Sequence, residues 1–187
     1  MIKRHLIIHP QDESTDFLKE IYQDLPNTIV INYKLPKDQL RYLIENSDKI
    51  IMLGHGCENG LFDSMLESFV IDEKCCDLLR KKTCIGIWCY AFDFAQKHNI
   101  PGLWSGMYIS EINEINTVPE VKKAVKCISN DDIIADINES NNSLTHVLNY
   151  YITRNSPFEH IINSWAKNMD SMRPISNFNL SNIRIIK

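Results

Sequence analysis

Short apolar runs alternate with amphipathic stretches along most of this chain. "HLIIHP" (5–10) is an apolar run stopped by a proline, which predicts a buried strand. "DESTDFLKEIYQDL" follows, with Phe17, Leu18, Ile21, Tyr22 and Leu25 on one helical face. "TIVINY" is a second strand, and Pro36 opens a helix carrying Leu40, Leu43 and Ile44. "KIIML" (49–53) is the third strand, "DEKCCDLLRK" a helix, "TCIGIWCY" the fourth strand, "FDFAQKH" a short helix and "LWSGMYIS" a fifth strand.

Further on, the stretch 129–143 is rich in Asn, Asp and Ser, which predicts a mobile loop with one short helix at most. "SLTHVLNYYITR" has helical spacing. So does "SPFEHIINSWAKNM", where Ser156 and Glu159 form a capping box and Pro157 takes the first helical position. Its apolar face comprises Phe158, Ile161, Ile162, Trp165, Ala166 and Met169, and "NIRIIK" reads as a terminal strand. Continuous apolar strands alternating with helices predict an α/β fold, a mostly parallel central sheet covered by helices on both faces. At 187 residues the expected organisation is a single domain. Residues 1–128 form its sheet core, and 129–187 its C-terminal helices and possible last strand.

Composition narrows the function classes. A formal charge of −4 with scattered Lys and Arg argues against nucleic acid as a partner. Leu6-Ile7-Ile8 is too short for a signal peptide or a membrane span, so the expectation is a cytoplasmic protein without membrane contact. Six cysteines (57, 75, 76, 84, 89 and 127) then read as reduced thiols, and Cys75-Cys76 as core filler.

Candidate chemistry gathers at strand ends, where open α/β sheets bind their ligands. "KIIMLGHG" places His55 after the third strand, and "TCIGIWC" places Cys89 near the end of the fourth. Consecutive βα units can set these strands side by side, bringing an imidazole near a thiol. That pair is the minimum unit for thiol nucleophilic catalysis. Gly54 and Gly56 let the backbone turn and approach a ligand, so the N–H groups of Gly56 and Cys89 become candidate oxyanion donors. His9, at the end of the first strand, is a further cleft-lining candidate. The sequence carries no P-loop, no dinucleotide fingerprint and no nucleophile elbow around Cys57. His55 and Cys57 lack a second ligand pair for a metal site.

"IIMLGHG" followed by "IGIWCYA" resembles the caspase-like cysteine peptidases, the group of caspases, clostripain, gingipains and CHAT-type proteins. In that family an apolar strand ends in His-Gly and the next core strand ends in the nucleophilic Cys. "GLFDSMLESFVID" resembles the family's hairpin-like insert, and "LWSGMYISE" the strand that helps build its substrate pocket. The resemblance implies a caspase-like sheet of flavodoxin-like order, a peptide or protein substrate, and no cofactor or metal. It assigns His55 as general base, Cys89 as nucleophile and Gly56 as oxyanion donor. It further implies a substrate lying along Ser105, Gly106, Met107 and Tyr108. The expected P1 residue is basic or neutral: the stretch Trp104–Glu114 holds Glu111 and Glu114 but no Lys or Arg to favour an Asp, and Glu111 is the preferred acidic contact because it directly follows the strand. Two rivals share the scaffold: a non-catalytic interaction module, and a small-molecule enzyme whose Gly-His-Gly loop holds an anion.

Overall fold

The computed structural model describes residues 4–168 and 173–187. In chain order its strands and helices begin with β1 (His5–Ile8), β2 (Thr28–Ile31), α1 (Lys37–Glu45) and β3 (Lys49–Leu53). A small antiparallel sheet follows, of β4 (Gly56–Cys57), β5 (Gly60–Phe62) and β6 (Phe69–Ile71). Then come α2 (Cys76–Leu79), β7 (Thr83–Ile87), α3 (Ala91–Lys97) and β8 (Gly102–Ser105). The chain ends with α4 (Pro119–Ala124), α5 (Asn130–Thr153), α6 (Phe158–Asn168), α7 (Pro174–Ser181) and β9 (Ile183–Ile186). Glu13–Ile21, Glu73–Cys75 and Ile112–Thr117 are 3-10 segments.

The main sheet has the order β2-β1-β3-β7-β8-β9. Its first five strands run parallel and β9 is antiparallel to β8. The parallel strands thus follow the 2-1-3-4-5 order of flavodoxin-like sheets. Alternation along each strand sorts the core into two layers. Leu6, Ile8, Ile50, Met52, Cys84 and Trp104 face α1, α2 and α3. Ile7, Ile51, Leu53, Ile85, Ile87 and Leu103 face the Glu13–Ile21 segment, α5 and α6. Burying one such Ile or Leu stabilises the fold by about 1.5–3 kcal/mol. Gly86 sits opposite Met52 and Trp104. A Cβ there would come within 2.3 Å of the Trp104 ring, so the gap left by Gly86 is filled by that indole.

The largest departure from the sequence expectation is α5. Residues 129–143 are not a mobile loop. They open a 24-residue helix, capped by Ser129, whose hydroxyl accepts from the Asp132 N–H at 3.2 Å. Asn, Asp and Ser lower helix propensity, but Ile133, Ile137, Leu144 and Leu148 recur at helical spacing and are buried, so packing overrides propensity. The polar residues on the same face are consumed internally. Asp136 is buried and accepts from the Ile175 and Ser176 N–H groups at 2.8 and 3.2 Å and from the Ser176 hydroxyl. It thereby caps α7 from outside.

Smaller differences have local causes. The expected fifth strand is shorter: it ends at Ser105, and only the Gly106 N–H, bonded to the Asn182 carbonyl at 2.7 Å, extends its ladder with β9. The "DESTDFLKEI" helix is a 3-10 segment whose Leu18 and Ile21 are buried as expected. On α6, Ile161 and Trp165 are buried while Ala166 is exposed, and Met169 lies outside the described residues. β9 returns the C-terminal helices to the sheet beside β8.

Replacing Asp136 with Ala should leave two buried N–H groups of α7 without acceptors and cost roughly 2–4 kcal/mol. Urea unfolding checks this, and a midpoint equal to that of the parent would contradict the outside-cap assignment.

Candidate functional site

Strand β3 ends at Leu53, and Gly54 at φ +134° makes a turn that a side chain would strain. The Gly54 N–H donates to the Ile87 carbonyl at 3.1 Å, tying the end of β3 to the end of β7. His55 and Cys89 therefore emerge side by side. Both line one narrow cleft of about 30 Å³, bordered by Phe17, Leu18, Trp88, Tyr108 and Glu114.

His55 is held by residues from the loop after β1. Pro10 ends that strand, and Asp12 caps the Glu13–Ile21 segment, its Oδ1 accepting from the Thr15 N–H at 3.1 Å. The other oxygen, Oδ2, lies 3.0 Å from His55 Nε2, and Ser14 Oγ lies 2.7 Å from the same nitrogen. Partial burial works against the Asp12 charge. The Ser14 hydrogen bond, the His55 imidazole and the Thr15 bonds outweigh it and hold the carboxyl below its ordinary range.

Cys89 sits just beyond β7, and its thiol donates to the Tyr108 carbonyl at 3.7 Å. Burial pushes that thiol up to about 11; nearby Glu114 adds to the rise and the Tyr108 main chain offsets a small part of it. Among the described residues no hydrogen bond joins the His55 ring to the Cys89 sulfur.

Two main-chain N–H groups next to His55 and Cys89 have no partner among the described residues. His55 and Phe62 form one bonded pair of the β4–β5 hairpin, with the Phe62 N–H on the His55 carbonyl at 2.8 Å. Bonded and non-bonded pairs alternate, so the Gly56 N–H points away from β5. Only glycine fits at 56, since a Cβ would lie 2.2 Å from Trp88 Cδ1. On the other side the Trp88 N–H is taken by Ser105 Oγ at 3.0 Å and the Tyr90 N–H by the Gly106 carbonyl at 3.1 Å. Between them, the Cys89 N–H has no partner among the described residues.

The remaining sequence candidates separate. Ser105 is wholly buried and its hydroxyl donates to the Trp88 carbonyl at 2.7 Å, so it braces the turn from inside. Gly106 and Met107 line a different, wider cleft of about 660 Å³ together with Tyr90 and Arg184. Tyr108 presents its main-chain carbonyl to Cys89 while its hydroxyl is buried against Ser140 at 3.3 Å. Glu111 is exposed and faces neither cleft; the acid beside Cys89 is Glu114. Glu114 also accepts from the Ser110 and Glu111 N–H groups at 2.7 and 3.0 Å, which fixes its carboxylate. Asp12 and Ser14 were not among the residues the sequence singled out, and Glu114 was passed over for Glu111. The spacing of Asp12 and Thr15 after Pro10 signals a cap, but nothing local signals its reach to His55.

Cys75, Cys76 and Cys84 are buried as the sequence suggested, and all six cysteines are free thiols. Among the described residues no group of three or more His, Cys, Asp or Glu is placed to hold a metal ion. No described helix is long and apolar enough to cross a membrane. Comparison of the chain with family models, with curated proteins and with solved structures finds no match.

His9 lies behind Asp12 and is fully buried. Tyr22 Oη accepts from Gln11 at 2.8 Å and stands 3.1 Å from His9 Nδ1, while His9 Nε2 is buried without a partner. Burial, helped by Lys19, lowers this imidazole to about 4, against weaker opposing effects of Asp16 and Asp12. The folded state thus keeps His9 neutral where the unfolded chain takes up a proton. Its contribution should be complete above pH 6.5 and fall by roughly 3 kcal/mol as pH drops to about 4. Urea midpoints across that range should show a steeper loss than in His9→Gln, and parallel profiles would refute the assignment.

The raised Cys89 thiol makes a second expectation. At pH 7 iodoacetamide should modify exposed Cys127 well before Cys89, and Cys89 alkylation should accelerate about tenfold per pH unit towards 11. Peptide mapping by mass spectrometry reads both rates, and a Cys89 faster than Cys127 at pH 7 would contradict the buried resting thiol.

Proposed function

We propose that this chain is a caspase-like cysteine endopeptidase acting on peptide bonds of a protein substrate. The observation that carries the reading is the shared cleft: His55 and Cys89 end adjacent parallel strands and line it together. The antiparallel β4–β6 insert that follows Gly-His-Gly also fits the resemblance. The reducing cytoplasm suits six free thiols.

In this reading the Cys89 proton passes to His55, and the thiolate attacks the scissile carbonyl carbon. The Gly56 and Cys89 N–H groups hold the oxyanion, an interaction worth several kcal/mol in such sites. His55 then gives its proton to the leaving amine, leaving a thioester on Cys89. Water, deprotonated by His55, hydrolyses the thioester and regenerates the thiol. Nothing in these steps requires a metal or an organic cofactor. Forming the thiolate from a thiol raised to about 11 is costly, so the Tyr108 segment must move when substrate enters. Glu114 beside Cys89 favours a neutral or basic residue at P1 over an acidic one.

One observation favours the second reading, a non-catalytic module on the same scaffold. The Cys89 thiol is satisfied by Tyr108 and raised by burial, as an inert structural cysteine would be. The anion-binding rival is disfavoured because a carboxylate, Asp12, already occupies the His55 edge.

A panel of peptidyl acyloxymethyl ketones separates the two. The peptidase should be modified at Cys89 selectively, with His55→Ala slowing the reaction by about 100-fold or more. Labelling spread over Cys57 and Cys127, or unchanged by His55→Ala, would establish the module instead.

A further inference from the structure

The polar cluster around His55 is more built than a two-residue catalytic unit requires. It joins the loop after β1 to the loop after β3, across 41 residues of sequence. Each hydrogen in it can be placed. Asp12, held ionised, has only acceptors, so the Ser14 hydroxyl donates to Oδ1 at 2.7 Å. With its one proton spent, Ser14 Oγ can only accept from His55 Nε2 at 2.7 Å. The second neighbour of that nitrogen, Asp12 Oδ2 at 3.0 Å, is also an acceptor. Both contacts therefore require a proton on Nε2. In the neutral ring the lone pair is then left on Nδ1, which makes no hydrogen bond among the described residues.

We infer that Asp12 and Ser14 are positioning residues that fix His55 as its Nε2–H tautomer, so that Nδ1 is the atom that takes the Cys89 proton. The inference deepens the peptidase reading and rests on it for the identity of the proton donor. The proton moves from Cys89 Sγ to Nδ1, giving a thiolate and an imidazolium whose Nε2–H still faces the Asp12 carboxylate. The same Nδ1–H later supplies the leaving amine. Asp12 touches neither substrate nor thiol; it acts through the ring. Because Asp12 also caps the Glu13–Ile21 segment, the orientation of His55 is tied to the fold of that segment.

Nuclear magnetic resonance of the full chain labelled with ¹⁵N-histidine tests this without reference to activity. The His55 signals, assigned by their loss in His55→Gln, should show a protonated Nε2, an unprotonated Nδ1 and a slowly exchanging Nε2–H proton. Ser14→Ala and Asp12→Asn, the latter keeping an acceptor oxygen for the cap, should each speed exchange of that proton at least tenfold. The same variants should slow peptidyl ketone labelling of Cys89 by about 10-fold or more, with a smaller change in half-saturating concentration. A proton on Nδ1 of the parent protein, or exchange unchanged in both variants, would overturn the positioning role. If the ring has the expected tautomer but no peptidyl ketone modifies Cys89, the peptidase reading falls and the proposed path from thiol to Nδ1 falls with it. The Asp12–Ser14 clamp on the ring would then stand.

Discussion

The hydrogen bond from the Gly54 amide to the Ile87 carbonyl joins β3 to β7 at the point where both strands leave the sheet. Below it the ladder runs in register from Lys49 opposite Thr83 to Leu53 opposite Ile87. A slip of one residue would turn Ile51 and Ile85 out of one core layer and Ile50 and Cys84 out of the other. The register is therefore fixed by two buried faces at once, and the positions of His55 and Cys89 are fixed with it. The cleft is a consequence of core packing, and His55 and Cys89 need no further contact to stay neighbours in it.

Trp88 carries that order one step further. Its ring meets Trp104 edge-on with centroids 5.8 Å apart, its Nε1–H donates to the Cys57 carbonyl at 3.1 Å, and it fills the space a side chain at 56 would take. A bulky residue just before Cys89 thus ties the β7 turn to the β4 hairpin. The Gly56 and Cys89 N–H groups, both without partners among the described residues, thus belong to segments that this indole joins.

Much of the scaffold was legible because apolar periodicity is a local signal. Every strand of the main sheet overlaps a run that the pattern marks, and Leu18, Ile21, Leu40 and Ile44 fall on the buried faces expected of them. The site was legible only where it coincides with strand ends, at His55 and Cys89. Asp12 and Ser14 were not, because their role is a contact across space that no spacing encodes. Glu111 was favoured over Glu114 for adjacency to a strand. The 3-10 turn at Ile112–Thr117 reverses that order, leaving the nearer residue in solvent. The 129–143 stretch misled for the opposite reason, since three of its polar residues, Asp136, Ser140 and Asn141, are buried as partners of α7 and the Ser110 carbonyl while the others line the solvent face of a helix.

Reactivity and stability pull against each other at the turn that holds Cys89. Tyr90 has φ +67° and ψ +22°, left-handed backbone that a tyrosine adopts at a cost of about 1–3 kcal/mol. Its N–H on Gly106 and its carbonyl, which accepts from Phe94 at 3.2 Å, hold it there. A relaxed Tyr90 would let α3 start in another direction and move Cys89 with it. The strain sits at Tyr90, whose N–H and carbonyl are both bonded, and the Cys89 amide just before it has no partner among the described residues. Burial of the thiol works the other way: raising it from 9.0 to about 11 corresponds to roughly 3 kcal/mol against the thiolate. The same Tyr108 carbonyl that satisfies the resting thiol would repel the thiolate. If the chain acts as the proposed peptidase, the element that has to yield is thus the loop that carries Tyr108 and Glu114, not the sheet that carries His55 and Cys89.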